Sequence, residues 1–197
     1  MLQVSQAFLR HGYGKLTMVE LAKECGFTRR ALYYYFNSKE EAYRATVRHG
    51  NAQGIQLGFE AGERIRRDGG SAVEIISEIM NIRYGTTRRI VQSSPHTVEL
   101  NAVAFMTSRD IMIEFAISFQ DDLERLIISL AEDGLLRLTG ALSPKQIAQA
   151  LADGARGVNQ ALPPPPLADL SERYRLMCQT ILFGSATAPG RDTRSKA

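Results

Sequence analysis

The chain has 197 residues, 44% of them hydrophobic, and a formal net charge of +3. That length suits one domain or two small ones, with an ordinary globular composition. Its two cysteines, Cys25 and Cys178, lie too far apart for a CxxC metal knuckle and give no disulfide framework. No signal-peptide pattern and no 18-residue apolar run is visible, so a membrane partner is not expected and a reducing, cytoplasmic setting is.

The charge is unevenly spread. Residues 1–50 hold eight Lys/Arg and four Asp/Glu, a net of +4, and the remainder holds sixteen and seventeen, a net of −1. A basic N-terminal part on a near-neutral rest suits a DNA-binding head on a neutral body.

Residues 17–39 carry the most specific signal. Thr17 is a candidate N-cap and Glu20 stands three residues on, which makes a capping box. Met18, Leu21, Ala22 and Cys25 then recur at helical spacing. Gly26 follows, where a left-handed residue would end the helix. Thr28 can cap the next helix, in which Ala31, Leu32, Tyr35 and Phe36 are the candidates for facing inward. Two helices joined by a short Gly-containing turn fit a helix-turn-helix.

The outward positions of the second helix are Thr28, Arg29, Arg30, Tyr33 and Tyr34. A recognition helix presents its N-terminal residues to base edges in the major groove, where Arg is the commonest reader of guanine. Tyr and Thr hydroxyls and the Lys39 ammonium suit phosphate oxygens, which fix register without reading sequence. The bland alternative is a solvated Arg face over core tyrosines. The coincidence of caps, Gly turn, Arg and Tyr favours the DNA reading.

Over residues 4–47 the chain resembles the TetR family of one-component transcriptional regulators. Phe8, Gly12 and Tyr13, then Thr17, Leu21, Ala22 and Gly26, then Leu32, Tyr33, Tyr35, Phe36 and Lys39 carry the resemblance. It implies that Tyr33, Tyr35 and Lys39 contact phosphates, while Thr28, Arg29, Arg30 and Tyr34 face the bases or nearby backbone. Thr17 joins the expected DNA-binding set. Ala42 stands where a larger apolar residue is usual, and Arg30 where Gly is common. The chain also begins inside the family's first helix. Helix 1 is therefore expected to be truncated, with reduced DNA affinity.

Nothing in residues 2–184 alternates like a strand, so the expected fold is all-α. A three-helix DNA-binding domain should occupy residues 1–48 and a helical ligand-binding and dimerisation domain residues 49–184. The polar tail, 185–197, is expected to be disordered. Helix 4 should start at Ser38, with Glu41 three residues on. Gly50, Gly54, Gly58 and Gly62 then recur every fourth residue, each costing about 1 kcal/mol relative to Ala in a helix. Either the helix frays there, or the series forms a flat face for close approach and a softened connector between head and body.

Gly69-Gly70 breaks the chain and Ser71 opens a helix with Val73, Ile76, Met80 and Tyr84 inward. A helix after Pro95 carries Val98, Ala102, Phe105 and Met106. A longer one over 108–133 carries Met112, Phe115, Phe119, Leu123, Leu126 and Leu130. These residues read as core or as an adaptable apolar pocket. The expected pocket set is Met80, Arg83, Tyr84, Phe105, Met106, Arg109, Met112, Phe115 and Phe119, with His96 and Asn101 nearby.

Ser143-Pro144 starts a helix with Pro in its first turn, four prolines at 163–166 form a stiff spacer, and a last helix spans 168–183. The resemblance implies that these two helices pair with their copies in a four-helix homodimer interface. The expected residues are Ile147, Leu151, Ala155, Val158, Tyr174, Met177, Ile181 and Leu182. A two-fold dimer carries two recognition helices to a palindromic site.

Catalysis is not expected. His11, His49 and His96 are scattered, no GxSxG, phosphate-loop or dinucleotide motif occurs, and Asp121, Asp122 and Glu124 read as a solvated helix face. No metal and no cofactor are implied. The function these readings imply is a ligand-responsive regulator, a repressor that binds palindromic double-stranded DNA and is released by a small-molecule effector. The alternative is a small-molecule-binding or protein-interaction dimer whose DNA contact is weak or lost.

Overall fold

A computed structural model describes residues 1–184, and every regular element among them is helical. The tail expected to be disordered lies outside the described residues.

Three short helices form the head: α1 (Leu2–His11), α2 (Met18–Glu24) and α3 (Arg29–Tyr35). Val4, Ala7 and Phe8 of α1, with Leu16, Met18, Leu21, Ala22, Cys25 and Leu32, bury themselves in one core. Ala42 and Tyr43 of α4 (Lys39–Arg67) complete its floor. Each fully buried Leu or Phe there contributes about 1.5–3 kcal/mol. The core does not end at the head. Leu100 and Val103 of α7 (Thr97–Thr107) enter it from the body.

That placement corrects the expected face of α7. Val98, Phe105 and Met106 are 84%, 54% and 76% exposed, and Ala102 is exposed with them. Leu100 and Val103 have helical spacing as good as that stripe, so periodicity alone could not choose between two apolar faces.

The body is built from α5 (Ala72–Met80), a π-helical turn (Asn81–Thr86), α6 (Thr87–Gln92), α8 (Arg109–Glu132), α9 (Pro144–Asn159) and α10 (Leu170–Phe183). Its core gathers Ile75, Ile76, Ile79 and Met80 with Phe119, Leu123, Ile127 and Leu130, then Leu151, Ala155, Tyr174 and Cys178. Ser38, Ser71 and Ser143 cap their helices as expected, the last two in full capping boxes with Glu74 and Gln146.

Helix α4 runs unbroken through all four glycines, a span of about 43 Å at 1.5 Å per residue. The helix is not broken at the series, and close approach is found at three of the four. A Cβ on Gly58 would lie 3.1 Å from the Ile79 carbonyl oxygen, one on Gly62 2.8 Å from the Ile79 side chain, and one on Gly54 3.3 Å from the Arg83 carbonyl oxygen. At Gly50 nothing lies within 4 Å. The lost side chains let α5 and the π-turn settle against α4.

The expected dimer set is also corrected. Leu151, Ala155 and Tyr174 are wholly buried within this one chain and cannot meet a partner. They fill the subunit's own core because α9 and α10 pack on each other and on α5 and α8, which takes up the more apolar side of each helix. Ile147, Val158, Met177, Ile181 and Leu182 are half-buried at its margin.

Candidate nucleic-acid interface

Local chemistry fixes the geometry of the α2–α3 pair. The Thr17 hydroxyl accepts from the Glu20 amide at 3.2 Å, and the Glu20 carboxylate accepts from the Thr17 amide at 2.7 Å. The Thr17 amide, with the Thr17 side chain adding, holds the Glu20 carboxyl below its ordinary range. Gly26 takes φ 68°, a conformation that an L side chain resists. The turn is sealed when the Phe27 amide donates to the Ala22 carbonyl at 2.8 Å. Thr28 then starts α3 by accepting from the Ala31 amide at 3.1 Å.

Only Leu32 of α3 is fully buried. Thr28, Arg29, Arg30, Tyr33, Tyr34 and Tyr35 all face outward. Tyr35, expected among the inward residues, is 61% exposed, which corrects that reading and leaves its hydroxyl free for a phosphate. Its ring stands edge-on to Tyr34 at 5.2 Å, and the Arg29 guanidinium lies 5.4 Å over the Tyr33 ring. The helix thus shows an aromatic, hydroxyl-bearing and cationic surface.

The charge on that surface is uncommitted. Arg10 pairs with Glu24, Arg44 with Asp110 and Arg48 with Glu114. Among the described residues, Arg29 and Arg30 have no acidic partner. A solvated guanidinium with all five donors free is suited to base edges and phosphates.

Two expected contacts are already occupied in part. Lys39 donates to the Tyr13 carbonyl at 2.8 Å and sits 4.3 Å over the Tyr13 ring. That holds the ammonium at the start of α4, with two of its three donors to spare. Thr17 spends its acceptor on the cap and keeps its O–H as a donor. Of the eight residues expected to touch DNA, Thr28 caps α3, Arg29, Arg30, Tyr33, Tyr34 and Tyr35 lie on it, Thr17 caps the start of α2 and Lys39 begins α4.

The body holds the head through contacts that the sequence did not reveal. Tyr43 donates to the Leu100 carbonyl at 2.7 Å, and burial, with Glu99 and Tyr13 adding, pushes its hydroxyl up to about 12. The Gly14 amide donates to Glu99 at 2.5 Å and Ser94 donates to the Leu9 carbonyl at 2.6 Å. Arg44 forks onto Asp110 at 2.6 and 2.8 Å and reaches the Thr107 carbonyl, and Arg48 forks onto Glu114 at 2.8 and 2.9 Å. The arginines carried no signal beyond charge, since their partners lie 66 residues away.

The expected pocket set divides. Met80 and Phe119 are fully buried, Arg83 is 7% exposed, and Tyr84, Met112 and Phe115 are half-buried. Phe105 and Met106 are on the surface because α7 turns its Leu100–Val103 face to the head, and Arg109 is exposed at the start of α8; these three are corrected out of the set. His96 sits 3.6 Å from Glu99 beside the head, and Asn101 is exposed. Among the described residues no group of acidic, His and Cys side chains could hold a metal, and no helix is long and apolar enough to cross a membrane.

An all-helical chain with an N-terminal helix-turn-helix that exposes an uncommitted cationic face has the build of a DNA-binding regulator. Residues 5–46 match the family model of bacterial regulatory proteins of the tetR family. No curated protein matches the chain. Solved structures with the same fold include a transcriptional regulator of the TetR/AcrR family from Thermobifida fusca, 21% identical, covering 94% of this chain and 96% of that one with a TM-score of 0.64. SmeT, the repressor of a multidrug efflux pump of Stenotrophomonas maltophilia, is 20% identical over 92% and 86%, with a TM-score of 0.62. Thermus thermophilus FadR, a repressor solved with lauroyl-CoA, is 21% identical over 96% and 97%, with a TM-score of 0.55. Residues 5–46 are thus similar to the tetR-family DNA-binding domain, and the chain shares the overall fold of solved TetR-family regulators. Such regulators are generally transcription factors rather than enzymes.

Proposed function

We propose that this protein is a repressor that binds a palindromic operator as a homodimer and leaves it when a small molecule occupies the helical body. Residues 1–48 act as the DNA-binding unit and residues 49–184 as the sensing and dimerising unit. The observation that carries the reading is the outward face of α3, where Arg29 and Arg30 have no acidic partner and three tyrosines stand exposed beside them. In this reading Arg29, Arg30, Thr28 and Tyr34 read bases, while Thr17, Tyr33, Tyr35 and Lys39 hold phosphates.

Repression is favoured by the two relatives described as repressors, and a small-molecule effector by the one solved with an acyl-CoA. Dimerisation is assigned to α9 and α10. There Met177 and Ile181 pack beside Gly154, and Leu176 and Phe183 remain 48% and 63% exposed. Release follows if the effector binds the DNA-incompetent shape more tightly than the competent one. The contacts of Tyr43, Arg44 and Arg48 with α7 and α8 are the route by which a change in the body reaches α4 and the head. The test is a gel shift on DNA upstream of the protein's own gene, with sedimentation of the free protein alongside. Salt-sensitive binding by a dimer is expected; absence of binding to any such fragment overturns the reading.

A further inference from the structure

Two arginines lie buried five residues apart on the stretch through the π-turn and α6, and they differ in one respect. Arg88, 9% exposed, donates to the carbonyls of Val158 and Asn159 at 3.3 and 3.4 Å and of Pro165 at 3.3 Å. Arg83, 7% exposed, has no such partner: its Nε and Nη1 are buried without a hydrogen bond among the described residues. The hydroxyl of the adjacent Tyr84 is buried and unpartnered too.

What surrounds Arg83 is aromatic. Its guanidinium lies 4.2 Å from the centre of the Phe119 ring and 5.0 Å from that of Tyr84. Phe119 is met by Tyr84 and by Phe59 of α4, each edge-on at 5.9 Å. Ring faces attract the cation but offer its N–H groups no oxygen. Buried charges are paired as a rule, and an unpaired one calls for an anion. The backbone is not free to carry Arg83 away. Thr87 bonds its carbonyl at 3.2 Å, and Gly54 of α4 lets that same carbonyl pack against the long helix. The residue also sits on a π-turn, a feature frequent at functional sites.

We propose that Arg83 receives the anionic head of an amphiphilic effector, a carboxylate on an apolar chain, with the Tyr84 hydroxyl as second donor and Phe59 and Phe119 as apolar walls. A guanidinium fork matches the two oxygens of a carboxylate. Entry of the chain parts Phe59 from Phe119, so the ligand acts on α4, the helix that follows the DNA-facing α3. The assignment rests on the reading of the body as an effector-binding unit and names the chemical class that unit takes.

Calorimetric titration of the full chain with decanoate and with 1-decanol tests it. The two probes share a chain and differ in charge. Wild type should hold decanoate about tenfold tighter or more, the scale of a charge-assisted hydrogen bond. Arg83→Met should abolish that preference with the decanol affinity unchanged, and Tyr84→Phe should weaken decanoate several-fold and spare decanol. Without ligand, Arg83→Met should unfold at or above the wild-type temperature, since it removes an unpaired buried charge; a lower midpoint marks Arg83 as a structural brace and overturns the proposal. Equal affinity of wild type for both probes refutes the anionic class while leaving an effector-binding body intact. Binding of neither probe refutes the assignment, and the upstream-DNA gel shift then judges the regulator reading on its own.

Discussion

The hydroxyl of Tyr43 donates to the carbonyl of Leu100 across 2.7 Å, joining the second turn of α4 to α7 inside the core of the head. This bond, beside those of Gly14 with Glu99 and Ser94 with Leu9, ties the body to the head, with Leu100 and Val103 in the same core. Removing it with Tyr43→Phe keeps the ring and its edge-on contact with Phe8. The expected cost is about 1 kcal/mol, or a fall of about 2–4 °C in Tm for a chain of this size. Thermal unfolding followed by circular dichroism checks it.

The two arginine forks between α4 and α8 make the junction acid-sensitive. The Arg44 fork holds the Asp110 carboxyl down at about 2, and the Arg48 fork holds Glu114 below its ordinary value. Both carboxylates are depressed on folding. Their contribution is therefore present above the unfolded-state values near 4 and is lost as pH falls, for Asp110 on approach to about 2. Urea unfolding of wild type and Asp110→Asn should differ at pH 6 and converge toward pH 2. A gap that stays constant across that range contradicts the assignment.

The glycine series gives opposite signs at neighbouring positions. Gly50 faces open space, so Gly50→Ala should stabilise by about 1 kcal/mol through helix propensity. A Cβ on Gly58 meets the Ile79 backbone carbonyl, which cannot turn aside as a side chain can. Gly58→Ala should destabilise by about 1–3 kcal/mol through overpacking. Thermal midpoints of the two variants should fall on either side of wild type.

Much of the head was legible because its determinants are local. The capping box at Thr17, the positive φ of Gly26 and the Thr28 cap each involve residues within a few positions, so spacing alone places them. Tyr35 was misread as inward because α3 is so short that Leu32 alone anchors it, and its last turn is free of the core. On α7 two apolar faces compete, and only the tertiary fold shows that Leu100 and Val103 win. The same limit applied to α9 and α10: an apolar stripe says that a residue is covered, not whether its own subunit or a second one covers it. Leu151, Ala155 and Tyr174 proved to be covered from within. The lone guanidinium of Arg83 had no sequence signal beyond its proximity to aromatics, since a missing partner is a property of space.

Roles on α3 separate by their dependence on DNA sequence. Tyr33→Ala should weaken binding almost equally on operator and on unrelated DNA, because its hydroxyl is assigned to phosphate. Fluorescence anisotropy on both duplexes checks this; a loss confined to the operator would move Tyr33 among the base readers.

The face of α3 carries the account, and Arg29 tests it most directly. Titrating wild type and Arg29→Ala onto labelled DNA from upstream of the gene, across a salt series, should show wild-type binding that weakens steeply with salt. The variant should bind that DNA about 10- to 100-fold more weakly, as loss of a bidentate base contact predicts. Binding that is indifferent to salt, or an Arg29→Ala variant that binds as wild type does, would contradict the assignment of this face to DNA.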